Sequence, residues 1–328
     1  MRSLSGASLA FVAMLALGSL AAAVGCAKVG EIQARKAFKS ANQAYQQQDY
    51  KKASEFYEEA IKAAPDTQVA RQAYFFLGNS YDNLFKPSKR GDKDNDELLQ
   101  KAVRNYQLAA EKLAASTDPQ DKLLGRRSLE YLVASYGAEK LNDPAKAEPV
   151  VQRMIQLEPG EPTNYFALAK IYEDAGAYDE AEKMLIQAKA AKPNDPAVYM
   201  TLAGYYNRQG HFDKTIEALE ERATKEPNNP EAFYTIATYY WDEAYRDFKL
   251  KENEKKAYVQ KGVEAVDHAL QIKQDYMEAL VYKNLLLRLQ ANLEKDPAKQ
   301  QALIKEADKL RDRAQELRKA KAAGTTTP

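Results

Sequence analysis

Residues 162–195 read PTNYFALAKIYEDAGAYDEAEKMLIQAKAAKPND, and the chain after them repeats their punctuation. Pro159, Pro193 and Pro227 are 34 apart, and so are Pro162, Pro196 and Pro230. The same spacing relates Tyr165, Tyr199 and Phe233, then Leu168, Leu202 and Ile236, then Tyr172, Tyr206 and Tyr240. Gly176 and Gly210 lie between these sets, each followed two residues later by an aromatic, Tyr178 and Phe212. Tyr165, Leu168, Ala169 and Tyr172 stand at i, i+3, i+4 and i+7, which is one face of a helix. Gly176 permits a tight exit from that helix. Ala181, Leu185 and Ala188 form the facing stripe of a second helix, and the small Ala169 and Ala181 let the two approach closely. Pro193 cannot continue the second helix. Asp195-Pro196 then reads as an N-cap followed by proline at the first helical position, and Asn229-Pro230 and Asp296-Pro297 repeat the signal. The spacing predicts an all-α chain of stacked helix-turn-helix units.

The run Tyr165-x₂-Leu168-Ala169-x₂-Tyr172, Ala181-x₃-Leu185, Pro193 resembles the W-x₂-L-G-x₂-Y…A-x₃-F…P pattern of tetratricopeptide repeats. The resemblance covers most of the chain and implies a right-handed α-solenoid of about six repeats. Their expected bounds are 34–67, 71–115, 126–161, 162–195, 196–229 and 230–276. The first keeps Ala53, Tyr57, Ala60 and Pro65, with Ala37, Ser40 and Ala44 in place of large residues, as suits a terminal repeat. The second opens on Tyr74-x₂-Leu77-Gly78-x₂-Tyr81 and resumes late at Ala102 and Tyr106; the third carries Leu129, Leu132, Tyr136, Ala147 and Val151. The sixth resumes late at Gly262, Val266 and Ala269. Residues 277–321 depart from the pattern and read as a helical cap, and 322–328 as a disordered tail.

Two insertions fall between the helices of a repeat, where solenoids carry functional edges. Residues 86–98, KPSKRGDKDNDEL, contain proline and glycine and read as an exposed loop. Residues 243–256 contain neither and read as lengthened helices forming a projecting hairpin.

The N-terminus reads as a targeting segment. Arg2 precedes an apolar run over 9–20, too short to span a bilayer, and then come Ala21-Ala22-Ala23-Val24-Gly25-Cys26. This resembles the lipobox of bacterial lipoproteins and implies a signal peptide over 1–25, lipidation of Cys26 and a short membrane-proximal tether over 26–33. Ala23 stands where the lipobox usually has Leu, so cleavage near Ala23 and secretion to the periplasm without lipid is the alternative. Fatty acyl chains would anchor the chain at about 0.8 kcal/mol per buried methylene. Ala27, rather than Asp, after the cysteine implies the outer membrane of a bacterial cell envelope, facing the periplasm.

Composition closes other routes. Lys+Arg is 48 and Asp+Glu 47, and removal of Arg2 with the leader brings the balance to zero, so no nucleic-acid partner is expected. Hydrophobic residues are 45% and charged residues 29%, enough for a core and too polar for a multispan membrane protein. One cysteine excludes a disulfide framework and a Cys-based metal cluster, and two histidines exclude most His-dependent catalysis. Asp92-Lys93-Asp94-Asn95-Asp96 opens like an EF-hand loop, but Glu97 and Val103 stand where Gly and Glu are required, so a solvated charged stretch is expected. His211 reads as a turn residue, and His268 makes no pair with adjacent Asp267, since sequence neighbours point to different helix sides. No Walker loop, G-x-S-x-G, H-E-x-x-H or G-x-G-x-x-G occurs. The expectation is a non-catalytic protein with no metal and no cofactor.

In tetratricopeptide proteins the first helices line a concave groove that binds extended peptides. The resemblance assigns to that face Phe38, Asn42 and Tyr45; Phe75, Asn79 and Asp82; Phe166, Lys170 and Glu173; Met200 and Asn207; and Tyr234, Thr238 and Trp241. Aromatic rings with amides suit an extended peptide or a glycan. The other reading is that these rings pack between neighbouring helices. Phe38 and Phe75 occupy the places where a carboxylate clamp needs Lys, so that activity is not expected. The last helix spaces Leu303, Ala307, Leu310, Ala314 and Leu317 by 4-3-4-3, either a coiled-coil seam for homo-oligomerisation through 297–321 or a cap helix lying on the Leu285–Leu289 stretch. The whole reads as a lipid-anchored scaffold for an envelope protein, the alternatives being a self-associating spacer and a glycan- or peptidoglycan-binding lipoprotein.

Overall fold

A computed structural model describes residues 28–324. The expected signal peptide, Cys26 and the end of the tail lie outside the described residues. Among those residues there are fourteen α-helices and no strand. They are α1 (28–46), α2 (Tyr50–Ala63), α3 (Gln68–Leu84), α4 (Lys93–Leu113), α5 (Pro119–Tyr136), α6 (Pro144–Leu157) and α7 (Pro162–Asp174). There follow α8 (Tyr178–Ala191), α9 (Pro196–Arg208), α10 (Phe212–Lys225), α11 (Pro230–Arg246), α12 (Glu252–Ile272), α13 (Met277–Leu293) and α14 (Pro297–Ala322). The chain divides into two compact units, one ending at Ala181 and the other beginning at Glu182.

In the first unit each helix from α2 to α7 packs on the next, and α3 also meets α5. In the second, the same holds from α9 to α14, and α11 also meets α13. Contact between alternate helices is what stacking of helix pairs produces, and it places first helices side by side.

Short side chains set the starts. Asp118, Asp143, Glu161, Asp195, Asn229 and Asp296 each accept a hydrogen bond from an amide of the following first turn, and each precedes a proline at the first helical position. Such caps contribute about 1 kcal/mol apiece. Gly176 and Gly210, at φ 76° and 73°, make the exits from α7 and α9. There Ala177 N–H bonds Tyr172 O at 2.8 Å and His211 N–H bonds Tyr206 O at 2.9 Å, satisfying carbonyls that the helix leaves open.

The periodic positions form the core. Leu168, Ala169 and Val151 are buried in the first unit, and Leu185, Leu202, Ala203, Leu219, Ile236 and Ala237 in the second. Tyrosine occupies large slots because its hydroxyl finds a fixed partner. Tyr172 donates to Glu148 at 2.8 Å and Tyr206 to Glu182 at 2.7 Å, each partner lying 24 residues earlier. Tyr165 and Tyr199 donate to the carbonyls of Pro159 and Pro193 at 2.9 and 2.6 Å.

Three expectations are corrected, and one further departure from the repeat is found. Helix α1 begins at 28, so most of the stretch read as a tether over 26–33 is helical. Helix α5 begins at Pro119, ahead of the bound at 126, because Asp118-Pro119 supplies the same start signal. The segment 86–98 is not a loop throughout: Asp92 caps α4, and Asp94 and Asp96 sit in its first turn, where the helix dipole favours negative charge. The stripe of small residues on the second helices is broken at Arg222, which replaces Ala188 one period on and is only 6% exposed. Arg222 is kept there by Glu226 at 2.7 Å and Glu231 at 3.3 Å.

Helix α14 packs along α13, with Ala307 and Ala314 buried, Arg288 paired to Asp308 at 2.6 Å and Arg313 to Asp275 at 2.8 Å. Its apolar seam is therefore used within the chain as a cap.

Candidate functional site

The first unit brings together three of the residues assigned to the binding face. Tyr45 near the end of α1, and Asn79 and Asp82 on α3, line an open cleft of roughly 410 Å³. Tyr50, Asn83, Phe85, Pro87, Tyr131 on α5 and Lys140 in the turn after α5 complete it. The walls thus come from α1, α3 and α5, the first helices of three successive pairs.

One hydrogen-bonded network holds the cleft. The Tyr45 hydroxyl and the Asn83 amide both donate to Asn79 Oδ1, the latter at 2.8 Å. Asn79 Nδ2 donates to the Tyr106 hydroxyl at 3.3 Å, and Tyr106 donates to Asp82 Oδ2 at 3.4 Å. Lys140 Nζ closes on Asp82 Oδ1 at 2.5 Å, with their side chains 22% and 8% exposed. Burial raises the pKa of the Tyr45 hydroxyl, with Tyr50 and Tyr131 adding to it. Burial, and then the Asp82 carboxylate, push Tyr106 far up, so it remains a donor across the physiological range. Below the network Phe75 meets Phe76, Tyr106 and Tyr131 at centroid distances of 5.2, 6.2 and 5.8 Å.

The insertion over 86–98 forms the rim. Arg90 donates to the carbonyls of Ala138 and Lys140 at 3.2 and 3.4 Å, tying the loop to the turn that carries Lys140. Asn95, 7% exposed, accepts from Lys86 N–H at 2.8 Å and donates to the carbonyls of Lys86 and Lys89. What reads in sequence as part of a solvated charged stretch includes a side chain that turns inward and holds backbone.

Other assigned residues are placed differently. Phe75 and Asn79 are 5% and 4% exposed, so both are structural supports rather than contact surface, because the close approach of α4 covers them. Phe38 packs half-buried against Tyr57 at 5.6 Å, and Asn42 accepts from the Tyr57 hydroxyl at 2.7 Å. Phe166 and Glu173 are half-buried on α7, and Lys170 is exposed and paired with Asp174.

In the second unit, Asn207 is exposed, Met200 Sδ receives Arg222 at 3.0 Å, and the Thr238 hydroxyl is spent on Thr235 O at 2.7 Å. Tyr234 and Trp241 join a row of rings on α11 and α13. Tyr276 meets Tyr234 at 5.4 Å, Tyr234 meets Tyr282 at 5.3 Å, Tyr282 meets Trp241 at 5.6 Å, and Trp241 stacks on Tyr245 at 5.0 Å.

Two further clefts lie between second helices of that unit. One, of roughly 480 Å³, includes Pro193, Leu202, Tyr206 and Glu221; the other, of roughly 550 Å³, includes Pro227, Phe233, Ile236, Tyr240 and His268. Pro193, Leu202 and Tyr206 recur 34 residues on as Pro227, Ile236 and Tyr240, so the clefts are copies of one groove. In the second copy His268 stacks on Phe233 at 3.8 Å. Among the described residues there is no group of three or more His, Cys, Asp or Glu able to hold a metal ion, and no helix is long and apolar enough to cross a membrane.

Tetratricopeptide-repeat family models match residues 36–67 and 139–204. The C-terminal part of a TPR repeat-containing protein from Cytophaga hutchinsonii is similar in structure, with 16% identity, a TM-score of 0.50, and coverage of 83% of this chain and 95% of that one. A tetratricopeptide repeat protein from Parabacteroides merdae shows 13% identity and a TM-score of 0.44, over 84% and 98%. A comparison with curated proteins found no match. The chain carries tetratricopeptide repeats in an all-helical fold, an architecture that generally serves protein–protein interaction.

Proposed function

We propose that this chain is a non-catalytic scaffold of the bacterial cell envelope, tethered by lipid at Cys26, that holds an extended segment of a protein partner in the cleft of its first unit. The observation that carries the reading is the convergence of Tyr45, Asp82 and Asn83 with Tyr131 and Lys140 on one open face built by three first helices. Half-buried rings give an extended chain apolar area, the Oδ1 of exposed Asn83 can accept from a backbone N–H, and the Lys140–Asp82 pair offers both signs of charge at one wall.

The test is affinity capture from crosslinked envelopes with wild type and with Asn83→Ala/Tyr131→Ala/Lys140→Glu, after both show equal helicity and melting. Loss of one protein from the mutant's captures supports the reading; an unchanged set overturns it. Radiolabelled fatty acid entering wild type but not Cys26→Ser checks the anchor. The row from Tyr276 to Tyr245 favours one second reading, a glycan ligand, which sedimentation with cell-wall sacculi would test.

A further inference from the structure

The α11–α12 hairpin is longer than the regular pair before it. Helix α11 has 17 residues against 13 in α9, and α12 has 21 against 14 in α10. At about 1.5 Å per residue the added turns extend the pair by roughly 6 to 10 Å. Its tip carries the most exposed large apolar side chain among the described residues, Phe248 at 87%, with Tyr245 at 63%. The stalk beneath is braced, since Tyr245 lies flat on Trp241, 9° from parallel, and Trp241 abuts Tyr282 of α13.

Basic side chains outnumber acidic ones around Phe248, five to three over 245–256. Asp247 accepts from Lys249 N–H at 2.8 Å, Glu254 from Lys251 N–H at 2.9 Å, and Glu252 pairs with Lys256 at 2.7 Å. Each of these three carboxylates is held in a cap or a pair and keeps its charge. Lys249, Lys251 and Lys255 have no carboxylate within ion-pair distance among the described residues.

We propose that this tip docks on an anionic lipid surface, with Phe248 and Tyr245 in the interfacial layer and Lys249, Lys251 and Lys255 on the headgroups. A projecting convex tip offers a protein pocket little area to enclose, whereas aromatic rings flanked by unpaired ammonium groups match the polarity gradient and the charge of a membrane surface. The inference rests neither on the cleft of the first unit nor on lipid at Cys26.

Trp241 is the only tryptophan of the chain and sits one helical turn from Tyr245, so it reports on the tip however the rest is anchored. The full chain is mixed with phosphatidylcholine vesicles, with or without phosphatidylglycerol, carrying a quencher at headgroup depth. Trp241 emission is expected to be quenched on the anionic vesicles and much less on the neutral ones. Phe248→Ser should lower the docked fraction about tenfold, the effect of losing one buried aromatic side chain. Lys249→Glu/Lys251→Glu/Lys255→Glu should erase the difference between the vesicles. Equal emission with and without quencher overturns the proposal, as does full quenching of Phe248→Ser. Crosslinking of position 248 to an envelope protein without quenching would assign the tip to a protein partner and overturn it too.

Discussion

The two insertions lengthen their helix pairs identically, to 17 and 21 residues in both α3–α4 and α11–α12, yet they produce opposite surfaces. The first folds back. Pro87 and Gly91 confine the chain to a short turn, Asn95 captures the loop backbone from inside, and Arg90 fastens it to the turn at Ala138 and Lys140. The second stands off, with Phe248 in solvent, and among the described residues the ion pair that joins its tip to another pair is Glu252 with Lys295 at 3.9 Å. Equal added length therefore makes a cleft wall where polar side chains bind loop backbone, and a free tip where the polar groups are used up on the tip's own caps.

The largest expected effect tests the clamp. Asn95→Ala leaves the Lys86 N–H without its partner and removes one of two bonds at the carbonyls of Lys86 and Lys89, which keep the N–H groups of Lys89 and Asp92; a donor left unpaired costs about 1–3 kcal/mol. Denaturant unfolding should lose roughly 1–2 kcal/mol, with water recovering part of the bonding. No loss would mean that the loop is held by something other than Asn95.

Next come the glycines at which each long pair closes. A Cβ at Gly78 would lie 2.9 Å from the ring of Tyr106, which is fully buried, and 3.2 Å from Ala102 O. A Cβ at Gly262 would lie 2.8 Å from a terminal methyl of Leu286 on α13, also fully buried, and 3.3 Å from Tyr240 Cβ on α11. Overpacking costs about 1–3 kcal/mol where neighbours cannot move, and alanine regains up to about 1 kcal/mol in helix propensity. Melting should thus fall for both, and further for Gly78→Ala, where a rigid ring and a backbone carbonyl rather than a methyl end must yield. The reverse order would show that the first pair, not the second, is the loosely packed one.

The sequence announces the pairs but not what joins them. Tyr165, Leu168, Ala169 and Tyr172 carry the period because packing between helices of one pair repeats with the chain. Asn79 is legible as a position on the first-helix face, yet its amide bridges Tyr45 on α1 and Tyr106 on α4, and no period records a bond between repeats. Lys140 had no signal at all: it lies in an aperiodic turn and reaches Asp82 from 58 residues away. Asn95 was hidden by its company, since a run of aspartates reads as solvated until one member is seen turned inward. The projecting hairpin was legible because 243–256 lacks helix breakers, whereas proline and glycine in 86–98 obscured helical lengthening of the same extent.

A smaller effect separates the ends of the two long first helices. Burial raises the pKa of Glu243, in the last turn of α11, and Asp247 and Asp242 add to it. A carboxyl raised in the fold contributes stability below its unfolded pKa and loses it as pH rises through the folded value. At neutral pH the charge therefore opposes the helix end, where the dipole also disfavours it. Glu243→Gln should gain about 0.3–1 kcal/mol of local stability at pH 7 and nothing near pH 4, read as slower amide exchange over 240–251. Equal gains at both pH values would show that the carboxylate's charge is not the cause. Helix α3 has no acidic residue in the corresponding last turn except Asp82, and that carboxylate is neutralised by Lys140.

The smallest effect is the most informative about the tip. Phe248 is 87% exposed and takes part in no ring pair among the described residues, so Phe248→Ser removes almost no buried area. Its unfolding free energy should stay within about 0.5 kcal/mol of wild type, the range of a surface change. Helicity should be unchanged, because Asp247 caps the turn and Glu254 the start of α12 through bonds that do not involve the ring. A folded protein that gains nothing from a large exposed aromatic, while Asn95 in the other insertion is indispensable, would place the use of Phe248 outside the fold. A loss of more than 1 kcal/mol would instead put Phe248 against the chain in solution, and the two insertions would then differ in degree rather than in kind.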